Sequence, residues 1–485
     1  MSSLRLAVAL TTALLASACN NGSSSSTPPV GSTLTVLSPR SGGTVNSTDV
    51  VIEIPSVTDA IRYEVEVAQI LTPAAPSVAR VVAPNSVLLS SEGEPVTFEN
   101  PMDGRYEVFF RAFDEADEML LESARSEFRV LHVQDFFPTI DITVDERDQV
   151  QEGYRLVCFV GGIGGQRQMM CVCNLYGEVI WNWEGPEFPG FIMAPTVKPD
   201  GSGIRAMRLF ARDRQLASIV FEVDWDGQVT NELELSNGRA VHHELDQLPD
   251  GRLYALGWEY ATFGGVEAEG DTIEVFDAET GEVEWSWNLF DHVTPLERPT
   301  PEEANASLSG RGTDWSHFNG IDWDEQNQIF WISARHFDAL LGVRFPSREV
   351  VEIGPWGFGF EDGLLFSHTH APEVQADGSI LLWDNGNNLD PQLSSAKVIE
   401  FDLEQETASV TFEWTDNLYD QAVGDADRLP NGNILVTHGF SRKLVEVTSS
   451  GEKVWEMTTE SPLMQFYALY RADHVPAELI PESIR

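Results

Sequence analysis

A short motif that recurs six times constrains the fold of this 485-residue chain more than any other feature. In it a turn is followed by Val and often by Trp. The copies are Tyr176-Gly-Glu-Val-Ile-Trp181, Asp226-Gly-Gln-Val229, Thr280-Gly-Glu-Val-Glu-Trp285, Ser347-Arg-Glu-Val350, Glu406-Thr-Ala-Ser-Val410 and Ser450-Gly-Glu-Lys-Val-Trp455. They are spaced roughly 44 to 67 residues apart, a period typical of repeat architectures. A second motif precedes four of them by roughly 20 to 30 residues. It is an Asp/Asn-Gly turn, usually feeding an apolar strand: Pro199-Asp-Gly201, Pro249-Asp-Gly-Arg-Leu-Tyr-Ala-Leu256, Ala376-Asp-Gly-Ser-Ile-Leu-Leu382 and Pro430-Asn-Gly-Asn-Ile-Leu-Val436. Two hairpins in each unit of about 50 residues mean four antiparallel strands, which is one propeller blade. Six units therefore predict a six-bladed β-propeller over residues 140–485, its longest spacing filled by an insertion around residues 291–312.

The chain before the repeats has a different rhythm. Residues 34–131 carry short period-2 runs, among them Tyr63-Glu-Val-Glu-Val and Tyr106-Glu-Val-Phe-Phe-Arg-Ala, separated by Gly, Pro, Ser and Asn. That pattern predicts an antiparallel β-sandwich. The segment YEVFFRAFDEADEMLLESARSEFRV resembles the last two strands of a fibronectin type III or immunoglobulin-like domain. The expected fold class is thus all-β, a small sandwich followed by the propeller. Residues 1–19 read as a lipoprotein signal peptide: Arg5 supplies the positive region, Leu6 to Leu15 the apolar one, and Ala16-Ser17-Ala18-Cys19 ends it. That ending resembles a lipobox, with Cys19 as the lipidated residue. Residues 20–33 (beginning NNGSSSSTPP) read as a flexible tether. The expected location is periplasmic, lipid-anchored to the outer membrane, with membrane contact through the anchor alone.

Charge narrows the function. Thirty Lys and Arg against 77 Asp and Glu give a formal net charge of -47. Such a chain repels nucleic acid and anionic lipid, both of which need basic patches. An anionic substrate would have to meet a local positive charge. The three cysteines beyond Cys19 are Cys158, Cys171 and Cys173, flanking a glycine-rich turn at Gly161, Gly162, Gly164 and Gly165. With the turn centred there, Cys158 falls nearly opposite Cys171, so a cross-strand disulfide to Cys171 or Cys173 is expected outside the cytoplasm. C-x-C with no second pair is weak evidence for a metal.

In a propeller the first strand of each blade lines the central channel, so equivalent positions converge on the axis. Eight residues before the turn glycine stand Met193, His243, His370 and Gly424. The longer turn Asp324-Glu325-Gln326-Asn327 places His317 at the matching position, in a looser alignment. Three successive blades thus offer a histidine, from only 10 in the chain. A lone axial histidine is more often structural; three at one level point to a site. Asn319, two residues after His317, would share its strand face. Arg335 follows the apolar strand Ile329 to Ile332 in a loop expected at the same end. His242, His336, His368 and His438 read as supporting residues. A three-histidine metal site is the rival reading, but the Arg335 guanidinium repels a cation and suits a tetrahedral oxyanion. No metal and no cofactor are therefore expected.

The segments AVHHELDQLPDG, TDWSHFNGIDWD…ISAR, HTHAPEVQADGSILLWDNG, GDADRLPNGNILV and FYALYRAD resemble motifs of the bacterial aryl-sulfate sulfotransferase family. The resemblance covers most of the chain from about residue 140 to 475. It departs at Thr369, where Gln is frequent, and at Trp383, where Phe is common. It implies transfer of a sulfuryl group from an aryl sulfate to a phenol, with no nucleotide donor. His370 matches the transiently sulfated histidine, His317 and Asn319 the H-x-N pair, Arg335 the arginine after it, and His243 or His242 the HH pair. A non-enzymatic binding propeller and an aryl sulfate hydrolase remain the alternatives, and a homodimer is compatible with the sequence.

Overall fold

The computed structural model describes residues 34–71, 81–82, 86–133, 137–161, 169–185, 190–212, 215–298, 312–360, 363–461 and 467–485. The signal segment, Cys19, the tether and most of the glycine-rich turn lie outside these. The described chain is all-β, its only helices being single 3-10 turns. No described helix is long and apolar enough to cross a membrane.

Two compact units are present. The first comprises the described residues up to Gly42 together with Val51–Phe98 and Arg105–Phe128. Its main sheet centres on Arg62–Leu71, paired on one side with Val87–Ser91 and on the other with Gly104–Phe113. The alternation seen in the sequence buries Val65, Val67, Val108, Phe110 and Ala112. A second, two-stranded sheet pairs Asp49–Ile52 with Val96–Glu99.

The second unit holds Gly43–Val50, Glu99–Gly104 and Arg129–Arg485. Six antiparallel meanders fill it. Sheet I contains Tyr154–Gly161, Met169–Asn174 and Val179–Glu184, and Tyr467–Val475 from the end of the chain completes it. Sheets II to V open on Gly190–Val197, Val241–Gln247, Phe318–Asp324 and Thr369–Val374. Sheet VI opens on Asp425–Arg428 and carries Thr139–Asp145 beyond its fourth strand. The opening strands of successive sheets adjoin one another from II to VI, and Tyr467–Val475 touches the opening strands of both II and VI. Each repeat in the sequence maps onto one sheet. The Asp/Asn-Gly turns join first to second strands, and the turn–Val motif joins third to fourth.

Apolar contacts hold each sheet to the next. One cluster joins sheets I, II and III; further clusters join III to IV, IV to V, V to VI, and VI back to I. The Trp of the repeat motif adds a directional clasp. Trp181 Nε1 donates to the Trp225 carbonyl at 3.0 Å, and Trp455 Nε1 to the Leu175 carbonyl at 3.1 Å, each reaching the neighbouring sheet. A buried indole N–H needs such an acceptor, and each bond adds about 1 kcal/mol net.

The expected disulfide does not form: Cys158, Cys171 and Cys173 are free and buried. Register explains it. Cys158 pairs with Met170, and Cys171 with Val157. A one-residue offset puts side chains on opposite faces of a sheet. Cys158 accordingly joins the apolar cluster toward sheet II, while Cys171 and Cys173 join the one toward sheet VI.

Candidate active site

Backbone irregularity builds the site. In sheets II, III and V the first strand bulges away from the second: pairing jumps from Met193↔Met207 to Thr196↔Arg205, from His242↔Leu256 to Leu245↔Ala255, and from His370↔Trp383 to Glu373↔Leu381. The chain there enters the left-handed region at Ala194 (φ 44°), His243 (φ 59°) and Ala371 (φ 45°). Each such residue costs about 1–3 kcal/mol, strain that clusters at functional sites. The bulge in sheet III holds one residue more than those in II and V, since His243 and Glu244 both fall between consecutive partner residues. In sheet VI the matching position is Gly424, at φ 106°, where an added Cβ would stand 2.3 Å from Trp383 Nε1.

Three of the predicted histidines come together. The ring of His243 lies 5.4 Å from that of His317 and 6.2 Å from that of His370, centroid to centroid. Tyr470 completes the group, 6.1 Å from His370 and 6.3 Å from His243, and its hydroxyl donates to the His243 carbonyl at 3.0 Å. His317 reaches the group differently from the other two. It precedes its strand and sits at φ 48°, so it is not at an equivalent strand position. The shared-face argument for Asn319 fails with it, because alternation requires extended backbone. Asn319 is buried; its Oδ1 accepts from the Ser333 hydroxyl at 2.6 Å, and its Nδ2 has no hydrogen-bond partner. Arg335 begins the 3-10 turn after Ile329–Ala334, and its backbone N–H donates to the His317 carbonyl at 3.1 Å. Its Nη2 donates to the Gln421 carbonyl.

Burial dominates the electrostatics. It pushes the His370 imidazole well below the usual histidine range, and the Arg471, His317 and Arg335 charges push it the same way. Burial does the same to His243, reinforced by His242, His317 and His370. Both are therefore neutral imidazoles with a lone pair available. His317 differs: its Nδ1 lies 2.5 Å from Asp314 Oδ2. Although burial works against it, that histidine holds the Asp314 carboxyl below the ordinary carboxylate range. Three more histidines are held by hydrogen bonds around this group. His336 Nδ1 meets the Asp314 carbonyl at 2.9 Å, His368 Nδ1 meets Asp338 at 3.1 Å, and His438 Nδ1 meets Asp420 at 3.0 Å. Asp314, His317 and His336 bring ligand atoms within 4.8 Å of one another, a spacing that could also hold a metal ion.

Sequence reasoning missed Tyr470, Arg471, Asp314 and Asp271. Arg471 pairs with Glu244 at 2.5 Å and with Asp425 at 2.8 Å. Burial opposes its charge, yet those carboxylates hold its pKa well above the ordinary value. It lines a cavity of about 310 Å³ with Glu244, Asp322, Glu373, Asp425, Asp427 and Asp473.

Residues 169–354 match the family model described as Arylsulfotransferase (ASST). That match supports the family resemblance read in the sequence. The matched segment carries His243, His317, Asn319 and Arg335, and ends before His370. No curated protein matches the chain. Among solved structures, a virginiamycin B lyase from Staphylococcus aureus aligns at 15% identity and TM-score 0.34, over 56% of this chain and 72% of that one. TolB from Acinetobacter baumannii aligns at 14% identity and TM-score 0.35, over 75% of this chain and 78% of that one.

Proposed function

We propose that the chain is an aryl-sulfate sulfotransferase whose six sheets are the blades of a propeller, preceded by an immunoglobulin- or fibronectin-like sandwich and anchored through lipidated Cys19. The observation that carries this reading is the convergence of neutral His370 and His243 with Asp314-backed His317 beside the Arg335 cation. In the first displacement a lone pair on the His370 imidazole attacks sulfur. An N–S bond forms, the S–O bond to the aryl oxygen breaks, and the leaving phenolate takes a proton from His317. In the second, the acceptor phenol gives its proton to a histidine base while its oxygen attacks sulfur and the N–S bond breaks. Arg335 and the donor at Asn319 Nδ2 serve the sulfuryl oxygens. The physiological partners on this reading are an aryl sulfate and a phenol, with no cofactor.

The test incubates the purified protein with a chromogenic aryl sulfate, with and without an added phenol. Release that depends on phenol, with the sulfate recovered on it, supports transfer. Release in water alone favours the hydrolase, and no release favours a binding protein. Activity that is lost on chelation and regained with a stoichiometric metal would move the reading to metal-assisted chemistry at Asp314, His317 and His336.

A further inference from the structure

Behind His243 stand two buried groups that touch neither the other site histidines nor solvent. His242 is fully buried, stacked on Trp258 at 4.2 Å between centroids. Its Nδ1 lies 2.8 Å from His243 Nδ1, and its Nε2 lies 3.2 Å from Asp271 Oδ1. Neither His242 Nε2 nor Asp271 Oδ1 has a hydrogen-bond partner, and the two meet only through that 3.2 Å contact. Asp271 Oδ2 is already committed, accepting from the Ser316 hydroxyl at 2.5 Å and the Phe318 N–H at 3.0 Å. Asp271 thus links the sheet of His243 to the residue that follows His317.

With His242 neutral and its proton toward the Asp271 carboxylate, these contacts admit one proton arrangement. A carboxylate accepts and does not donate, so the His242 proton must sit on Nε2, facing Asp271. A neutral His242 then has its lone pair on Nδ1. Two ring nitrogens 2.8 Å apart need one proton between them, so His243 must carry it on its own Nδ1. The second nitrogen of His243, Nε2, is left with a lone pair.

We infer that Asp271 and His242 are positioning residues that fix the tautomer of His243, so that its Nε2 is the base that takes the proton of the incoming acceptor phenol. The inference rests on the sulfotransferase reading for the phenol, while the tautomer rests on these distances and on a neutral His242. It also divides the labour: Asp314 equips His317 to give a proton, and Asp271, through His242, equips His243 to receive one. The phenol O–H breaks, its proton moves to His243 Nε2, and the oxygen lone pair forms the new bond to sulfur as the bond to His370 breaks. His243 then releases that proton to water and His317 regains one from water, which resets both rings.

The decisive variant is Asp271→Asn. An amide keeps an acceptor for Ser316 and Phe318 but presents N–H to His242 Nε2. That reverses both rings in turn, leaving His243 protonated at Nε2. A wrong tautomer of this kind costs a serine-protease triad about 10⁴-fold in turnover. Nitrogen-15 NMR of the full, histidine-labelled protein reads the tautomers directly, a signal that a merely structural role would not reverse. The expected result is His243 protonated at Nδ1 in the native protein and at Nε2 in Asp271→Asn. Transfer to phenol should fall at least 10-fold in the variant, while the initial burst of phenolate from the donor persists. Ser316→Ala, which leaves the tautomers alone, should change transfer less than 3-fold. Native His243 protonated at Nε2, or an Asp271→Asn variant with unchanged tautomers, overturns the inference whether or not the protein transfers sulfate. Correct tautomers in a protein that releases nothing from any aryl sulfate would refute the sulfotransferase reading and leave the relay standing.

Discussion

At the scale of single residues, His370 and Arg335 carry the sharpest expectations. His370 is buried, held neutral by burial and by the Arg471, His317 and Arg335 charges, and has Nδ1 without a hydrogen-bond partner. An uncommitted lone pair in a pocket that disfavours protonation is what a nitrogen nucleophile requires. His370→Ala is expected to abolish aryl-sulfate turnover and covalent labelling by a radiolabelled donor, with an unchanged circular dichroism spectrum. Near-normal transfer by a folded variant would remove His370 from the nucleophile's role. Arg335→Lys tests recognition of the sulfuryl oxygens. The substitution keeps a cation but loses the planar fork, so kcat/KM is expected to fall by roughly 10²-fold. Full activity in the lysine variant would make Arg335 a structural partner of the Gln421 segment.

At the scale of elements, the repeat was legible because each strand pair carries its own turn chemistry. Asp-Gly and Asn-Gly fix a hairpin locally, and glycines such as Gly251 and Gly378 take positive φ there. Counting back from those glycines reached His243 and His370. It could not reach Tyr470 or Arg471, since Tyr467–Val475 joins sheet I from the far end of the chain with no such turn after it. Asp271 and Asp314 were illegible for another reason: among 77 acidic residues, no spacing singles out two. The cysteine hairpin failed on register, which a glycine-rich turn of unknown length does not fix. Its correction is measurable. In a Cys19→Ser chain no thiol is expected to react with a disulfide reagent under native conditions, because burial raises the Cys158 and Cys171 pKa values and blocks access. Three thiols should react once the chain is unfolded without reductant. A count of one would restore the disulfide.

At the scale of the whole molecule, a formal charge of -47 overstates the charge the folded chain carries. The carboxyls around Arg471 are buried or half-buried and line one cavity with it. Burial, with repulsion from Asp246 and Glu373, raises Asp322 to about 7. Burial, with Asp425, raises Glu373 to about 7; burial, with Asp425, Glu244 and Asp246, raises Asp473 to about 8. In the unfolded chain all three titrate near 4. Between about pH 4 and pH 8 these three groups bind more protons in the folded state, and their contribution to stability falls as pH rises through that window. Glu456 works in the opposite sense at lower pH: despite burial, Lys453, Thr143 and Lys443 hold it at about 2, a contribution lost on acidification below about 4.5. Below about pH 6.5 the buried neutral His243, His370 and His336 work against this trend, so melting temperature is expected to fall from pH 7 to pH 9. Surface repulsion cannot imitate the trend, because exposed carboxylates are already ionised at pH 5 and salt screens them. The slope should survive 0.5 M salt and flatten in Asp473→Asn, which has no proton to lose. A melting temperature that holds level or rises toward pH 9 would show that these carboxyls titrate as ordinary surface groups.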